Sequence, residues 1–105
     1  MNQEKFEQIK RKAEPILRQN DVEFAGIFGS VARGKATPKS DIDILIRYSK
    51  TPGLFDHIGL AQTLEDTLQT KVDLVTEGSL KKSLAVVVKK DLQVLYGRIQ
   101  RSDLH

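Results

Sequence analysis

The chain has 105 residues, no cysteine, and a net charge of +3 from 17 Lys and Arg against 14 Asp and Glu. That length suits one domain with a real core and leaves no room for a second, and 39% apolar with 30% charged residues describes a folded protein, not a disordered one. Absent cysteines exclude a disulfide framework, a zinc–thiolate site and a cysteine nucleophile, while the lack of any apolar run near the ~20 residues of a membrane span, or of an apolar segment after the charged N-terminus, points to the cytoplasm and away from membranes.

Taken in order, residues Gln3 to Gln19 place Phe6, Ile9, Ala13, Ile16 and Leu17 at helical spacing. Pro15 lies inside that pattern, so a kink or two short helices is expected, closed by Asn20-Asp21. Phe24 to Phe28 is a short buried strand and Ile42 to Tyr48 a longer one; between them the chain is rich in turn formers. A loop over Lys50 to Gly53 leads into an amphipathic helix marked by Leu54, Ile58, Ala61, Leu64 and Leu68, ending near Thr70. Val72 to Thr76 is a third strand with Asp73 inside it. Gly78-Ser79 is expected to cap a further helix whose apolar face is Leu80, Leu84 and Val87 or Val88, and Leu92 to Tyr96 a fourth strand stopped by Gly97. This alternation predicts one α/β or α+β domain over residues 1–97, a mixed sheet of about four strands flanked by three or four helices, and a frayed tail over 98–105.

The chemistry concentrates between Gly29 and Ile46, which reads G-S-V-A-R-G-K-A-T-P-K-S-D-I-D-I-L-I. Alternate strand residues lie ~6–7 Å apart on one face, so Asp41 and Asp43 present two carboxylates on one side while Ile42, Ile44 and Ile46 take the other. Paired carboxylates suit hard divalent cations, and a Gly29-Ser30 turn leaving a strand frees backbone N–H groups for phosphate oxygens. Ionised carboxylates are rarely buried without partners, and Asp73 repeats the anomaly among Val72, Leu74 and Val75. If its strand neighbours that of Asp41 and Asp43, three repelling carboxylates converge. Two magnesium ions ~3.5–4 Å apart are the usual remedy and also the device of in-line nucleotidyl transfer.

Plainer readings stand beside these. Gly29 to Ala36 fits G-x-x-x-x-G-K, but Ala36 replaces the hydroxyl that a phosphate-binding loop gives to magnesium, and Pro38 would break the helix that should follow. Ser30 alone is uninformative, since a simple cap explains it equally well, and gains weight only from Gly29 and the carboxylates; Arg33 either caps a short helix or touches phosphate. His57 reads as a half-exposed helix residue, and Tyr48 and Tyr96 as packing residues. The mild basic excess at Lys81, Lys82, Lys89, Lys90, Arg98 and Arg101 reads as solvated surface; without an aromatic platform or a concentrated basic stripe, nucleic acid is disfavoured.

Gly29-Ser30, ten residues, then Asp41-x-Asp43, with Val72-Asp73-Leu74-Val75 later, resembles the signature of the DNA polymerase beta-type nucleotidyltransferase superfamily. In length and in the full Gly29–Ile46 text the chain is similar to the minimal nucleotidyltransferases. The resemblance implies that Gly29 and Ser30 bind the β- and γ-phosphates of ATP or another nucleoside triphosphate; Arg33 remains a candidate phosphate contact by its place after that turn. The resemblance further implies that Asp41, Asp43 and Asp73 hold two Mg²⁺ ions, or Mn²⁺, and that Asp73 helps deprotonate the attacking hydroxyl. It also implies an AMP transferred to a tyrosine of a small helical HEPN-type protein encoded nearby, the pair forming a toxin–antitoxin system with this chain as antitoxin. The rival class is a non-catalytic, nucleotide-binding antitoxin acting by contact, and a homo-oligomer is left open.

Overall fold

The computed structural model describes residues 3–34 and 41–98. The turn-rich segment holding Lys35, Ala36 and Pro38, and the tail beyond Arg98, lie outside these residues, as do the side chains of Leu84 and Val87.

Helix α1 (Gln3–Gln19) is one uninterrupted helix that carries Pro15 inside it. Of the kink or two short helices expected, the split does not occur; the single helix persists because Pro15 faces solvent, where water can take the carbonyl left without its N–H partner, while Ile9, Ala13 and Leu17 anchor the buried stripe on both sides of it. Strand β1 (Val22–Phe28) begins two residues earlier than its apolar run suggested and runs into a one-turn helix α2 (Gly29–Ala32). Strand β2 (Ile42–Tyr48), helix α3 (Leu54–Leu68) and strand β3 (Val72–Thr76) follow. A 3₁₀ turn over Glu77–Ser79 and an extended Leu80-Lys81 then lead into α4 (Lys82–Asp91) and β4 (Gln93–Gly97). Gly78-Ser79 therefore forms the 3₁₀ turn and not the cap of α4, and Leu92 is the elbow before β4 instead of its first residue.

The four strands form one sheet in the order β3-β2-β1-β4. β1 is antiparallel to β2 and to β4, whereas β2 and β3 are parallel. A parallel pair needs a crossover, and α3 supplies it. Strand alternation then divides the side chains between two faces. Ala25, Ile27, Ile42, Ile44 and Ile46 point into the larger core with Leu17, Leu60, Leu64 and Leu95, beneath α1 and α3. Phe24, Leu45 and Val88 form a smaller cluster on the opposite face with Phe28, Val75, Leu80 and Leu92. By the same parity Asp43 and Asp73 stand on this second, thinly covered face.

Helix α3 departs from its expected apolar stripe. Leu60 and Leu64 are its fully buried residues, whereas Leu54, Phe55 and Ile58 are 77%, 82% and 52% exposed. No helix among the described residues is long and apolar enough to cross a membrane.

Candidate active site

Three strands meet at the site. The β2–β3 register puts Asp43 directly beside Asp73, and on its other flank Asp43 pairs with Phe28 of β1. The start of the parallel pair is fixed by the Ile42 N–H donating to the Lys71 carbonyl at 2.9 Å, which sets Asp41 just before β2. Asp41 and Asp73 are exposed and Asp43 is half-buried. Asp73 looked interior by sequence; β3 is an edge strand of the sheet, and none of its residues is fully buried.

Proton affinity reports the crowding. The Asp43 carboxyl is pushed above its ordinary range by burial first, then by the negative charges of Asp73 and Asp41, with Arg33 pulling the other way. A field of carboxylates that raises one member's pKa is one that a cation would relieve. Hard oxygen donors from three residues are the chemistry a magnesium ion takes. As the side chains stand, no group of three or more such ligands among the described residues closes on a common point. The donors suit the ion without forming a finished cage.

Phe28 leads straight into Gly29, whose φ of +79° is a conformation that side chains with a β-carbon rarely adopt. A Cβ built there would overlap Oδ2 of Asp43. Gly29 is thus required twice, by its backbone and by the carboxylate it lies against. Ser30 is half-buried, and Val31 and Ala32 are buried beneath the turn. Arg33 is exposed but tethered: its Nη1 donates to Oδ2 of Asp91 at 2.7 Å. Asp91 escaped the sequence reading because it lies 58 residues away on another helix, with no motif around it.

His57, read by sequence as a half-exposed helix residue, is half-buried and bridges three elements. The Tyr48 hydroxyl lies 2.8 Å from Nδ1 and the Leu74 carbonyl 3.2 Å from Nε2. A carbonyl can only accept, so Nε2 carries the proton and Nδ1 accepts from Tyr48. The ring thus braces the far end of β2, away from the carboxylates, and Tyr48 is a packing residue with a polar handle.

A glycine turn abutting the Asp43 carboxylate, with Asp73 on the next strand and Asp41 just before β2, is the arrangement expected of a nucleotidyltransferase. Comparison with known proteins agrees. Residues 11–101 match the family model described as "Polymerase beta, Nucleotidyltransferase". The chain is 38% identical over 90 residues to the protein adenylyltransferase MntA of Thermococcus cleftensis, an alignment spanning 85% of this chain and 91% of that protein. Among solved structures it superposes with TM-score 0.75 and 31% identity on a chain of a toxin–antitoxin structure with AMP-PNP, over 90% of this chain and 77% of that one. It superposes with TM-score 0.71 and 28% identity on a chain from the complex of tri-AMPylated Shewanella oneidensis HEPN toxin with MNT antitoxin, over 94% and 78%. The chain belongs to the polymerase beta nucleotidyltransferase family, and it is a transferase.

Proposed function

We propose that this nucleotidyltransferase is a magnesium-dependent protein adenylyltransferase that moves AMP from ATP to a tyrosine hydroxyl of a HEPN-type partner and so acts as an antitoxin. The observation that carries this reading is the placement of Asp43 between Gly29 on one side and Asp73 on the other. Phosphates held at Gly29 would lie against one carboxylate, with the next carboxylate one strand further on. The relatives' names add the acceptor class: one is a protein adenylyltransferase, and another structure holds an AMPylated HEPN toxin with its antitoxin.

In this reading the backbone N–H groups of Gly29 and Ser30 hold the β- and γ-phosphates, and Arg33 supplies positive charge nearby. Asp41, Asp43 and Asp73 are the ligands for two Mg²⁺ ions. Bound by these carboxylates, the ions would supply neutralisation of the charge that develops during transfer. Asp73, exposed on the edge strand, faces the acceptor and receives the tyrosine proton. The acceptor oxygen bonds to the α-phosphorus, the bond to the bridging α,β-oxygen breaks, and pyrophosphate leaves with that electron pair.

Asp73→Asn keeps the shape of the side chain and removes its charge and basicity. Transfer of labelled AMP to a co-expressed HEPN-type partner should fall by ~10²–10⁴-fold, the usual worth of a general base, while ATP binding stays within a few-fold. Labelling at the parent's rate would remove Asp73 from the chemistry. If neither parent nor variant labels the partner yet both still neutralise it, the contact-only antitoxin is the correct reading.

A further inference from the structure

The turn from Gly29 to Gly34 is short of internal support. Its own backbone bonds are Arg33 N–H to the Gly29 carbonyl and Gly34 N–H to the Val31 carbonyl, both 3.1 Å, and it is entered and left through glycines at φ +79° and +73°. A single helical turn does not hold itself together in water. Among the described residues, two side-chain tethers reach it from one place. Arg33 donates to Asp91 at 2.7 Å, and Nε2 of Gln93 donates to the Ala32 carbonyl at 3.0 Å. Between them Leu92 presses on β1 so closely that a Cβ on Gly26 would meet its Cδ1 at 2.6 Å. Three consecutive residues of the α4–β4 elbow therefore clamp, in turn, the arginine, the strand that feeds the turn, and the turn's backbone.

Asp91 is badly placed for its own helix. It is the last residue of α4, where the helix dipole is negative and a carboxylate is disfavoured. Lys89 and Lys90, in the same last turn, are the residues that position favours. The carboxylate is there for Arg33, and with 17% of its side chain exposed it is held in a fixed direction.

We propose that the α4–β4 elbow is the positioning device of the nucleotide site: Asp91 aims the Arg33 guanidinium and Gln93 fixes the Gly29–Gly34 backbone beside Asp43. Asp91 and Gln93 are positioning residues and touch no substrate. The proposal rests on the reading that Gly29, Ser30 and Arg33 meet a triphosphate.

Calorimetric titration with Mg²⁺–AMP-PNP tests it, alongside thermal melts of the nucleotide-free protein. Asp91→Asn should weaken binding about 3–10-fold, and Asp91→Glu should recover most of the loss. The nucleotide-free melting temperature should hold or rise slightly, since α4 loses an unfavourable end charge; a merely structural role would lower it instead. In an Arg33→Ala background Asp91→Asn should add nothing, because it acts through the arginine. Gln93→Leu should still weaken binding in that background, because it acts through the backbone. If Arg33→Ala loses affinity but Asp91→Asn does not, Asp91 has no positioning role and the phosphate reading stands. Tighter binding by Asp91→Asn would make it a competitor for Arg33 and overturn the proposal, as would an effect that persists undiminished without Arg33. Full affinity in Arg33→Ala overturns the Asp91–Arg33 half of the proposal, unchanged affinity in Gln93→Leu overturns the other half, and a parent that binds no Mg²⁺–AMP-PNP sinks the nucleotide reading itself.

Discussion

Asp43 carries a cost in the free protein that its neighbours make plain. Its pKa is raised by burial and by Asp73 and Asp41, so the folded state binds a proton more tightly than the unfolded chain does. Stability is then highest below the unfolded value of about 3.8 and is lost as pH climbs through the raised folded value. Asp43→Asn removes that penalty, so the metal-free variant should melt above the parent at pH 7, with the gap closing as both are brought toward pH 4. A gap that widens on acidification would mean Asp43 is stabilised as a carboxylate, contrary to its surroundings. Gly29 poses the reverse case. A Cβ there meets both the wrong backbone region and the Asp43 carboxylate, so Gly29→Ala should cost about 1–3 kcal/mol in urea unfolding as well as nucleotide affinity. At this scale the motif residues were legible because their anomaly is local: two aspartates in an apolar strand, and a glycine at a strand end. The partner of Arg33 was not, because only the folded sheet brings residue 91 to residue 33.

Among the elements, α3 shows where amphipathic reading stops. Leu54 and Ile58 lie at helical spacing with Leu64 and Leu68, yet the first turn of α3 leaves Leu54, Phe55 and Ile58 in solvent. The helix is a crossover whose direction is dictated by joining two parallel strands, so its apolar stripe meets the core only from Leu60 onward. Its start is held by polar means, through His57 between the Tyr48 hydroxyl and the Leu74 carbonyl. Burial raises the pKa of Tyr48, with a further push from Asp56, so the phenol stays protonated and can remain the donor to Nδ1. Tyr48→Phe keeps the ring packing and deletes that donor, and should cost about 0.5–1.5 kcal/mol. Hydrogen exchange should quicken across the first turns of α3 while the amides of β1 and β2 keep their protection. Unchanged exchange in α3 would mean that the apolar contacts of Leu60 and Leu64 alone hold it.

For the whole molecule, alternation along the strands puts the apolar work and the chemistry on opposite faces of one sheet. Ile42, Ile44 and Ile46 fill the core under α1 and α3, while Asp43 stands on the opposite face, where Val88 of α4, Leu92 of its elbow and Leu80 pack. That partition was readable in advance, since a period of two needs no tertiary knowledge; the strand order and the parallel β2–β3 pairing were not, although they decide whether Asp73 joins the others. Because folding brings Asp73 beside Asp43 and its near neighbour Asp41, a ligand that neutralises the assembled cluster should stabilise the fold by mass action. Mg²⁺ with ATP at about 100 times its dissociation constant would contribute about 2.7 kcal/mol, a rise in melting temperature on the order of 10 °C for a domain this small. Mg²⁺ alone should give less, since the carboxylates do not yet close on one point and the triphosphate would complete the set of ligands. ATP with chelator should give least, because its own charge would then face the bare carboxylates. The ordering separates two ideas that a single melt would confuse. If ATP with chelator stabilises as well as ATP with Mg²⁺, the turn at Gly29 binds phosphate without help from the aspartates. If none of the three moves the transition, the carboxylate face is not a nucleotide site in this protein.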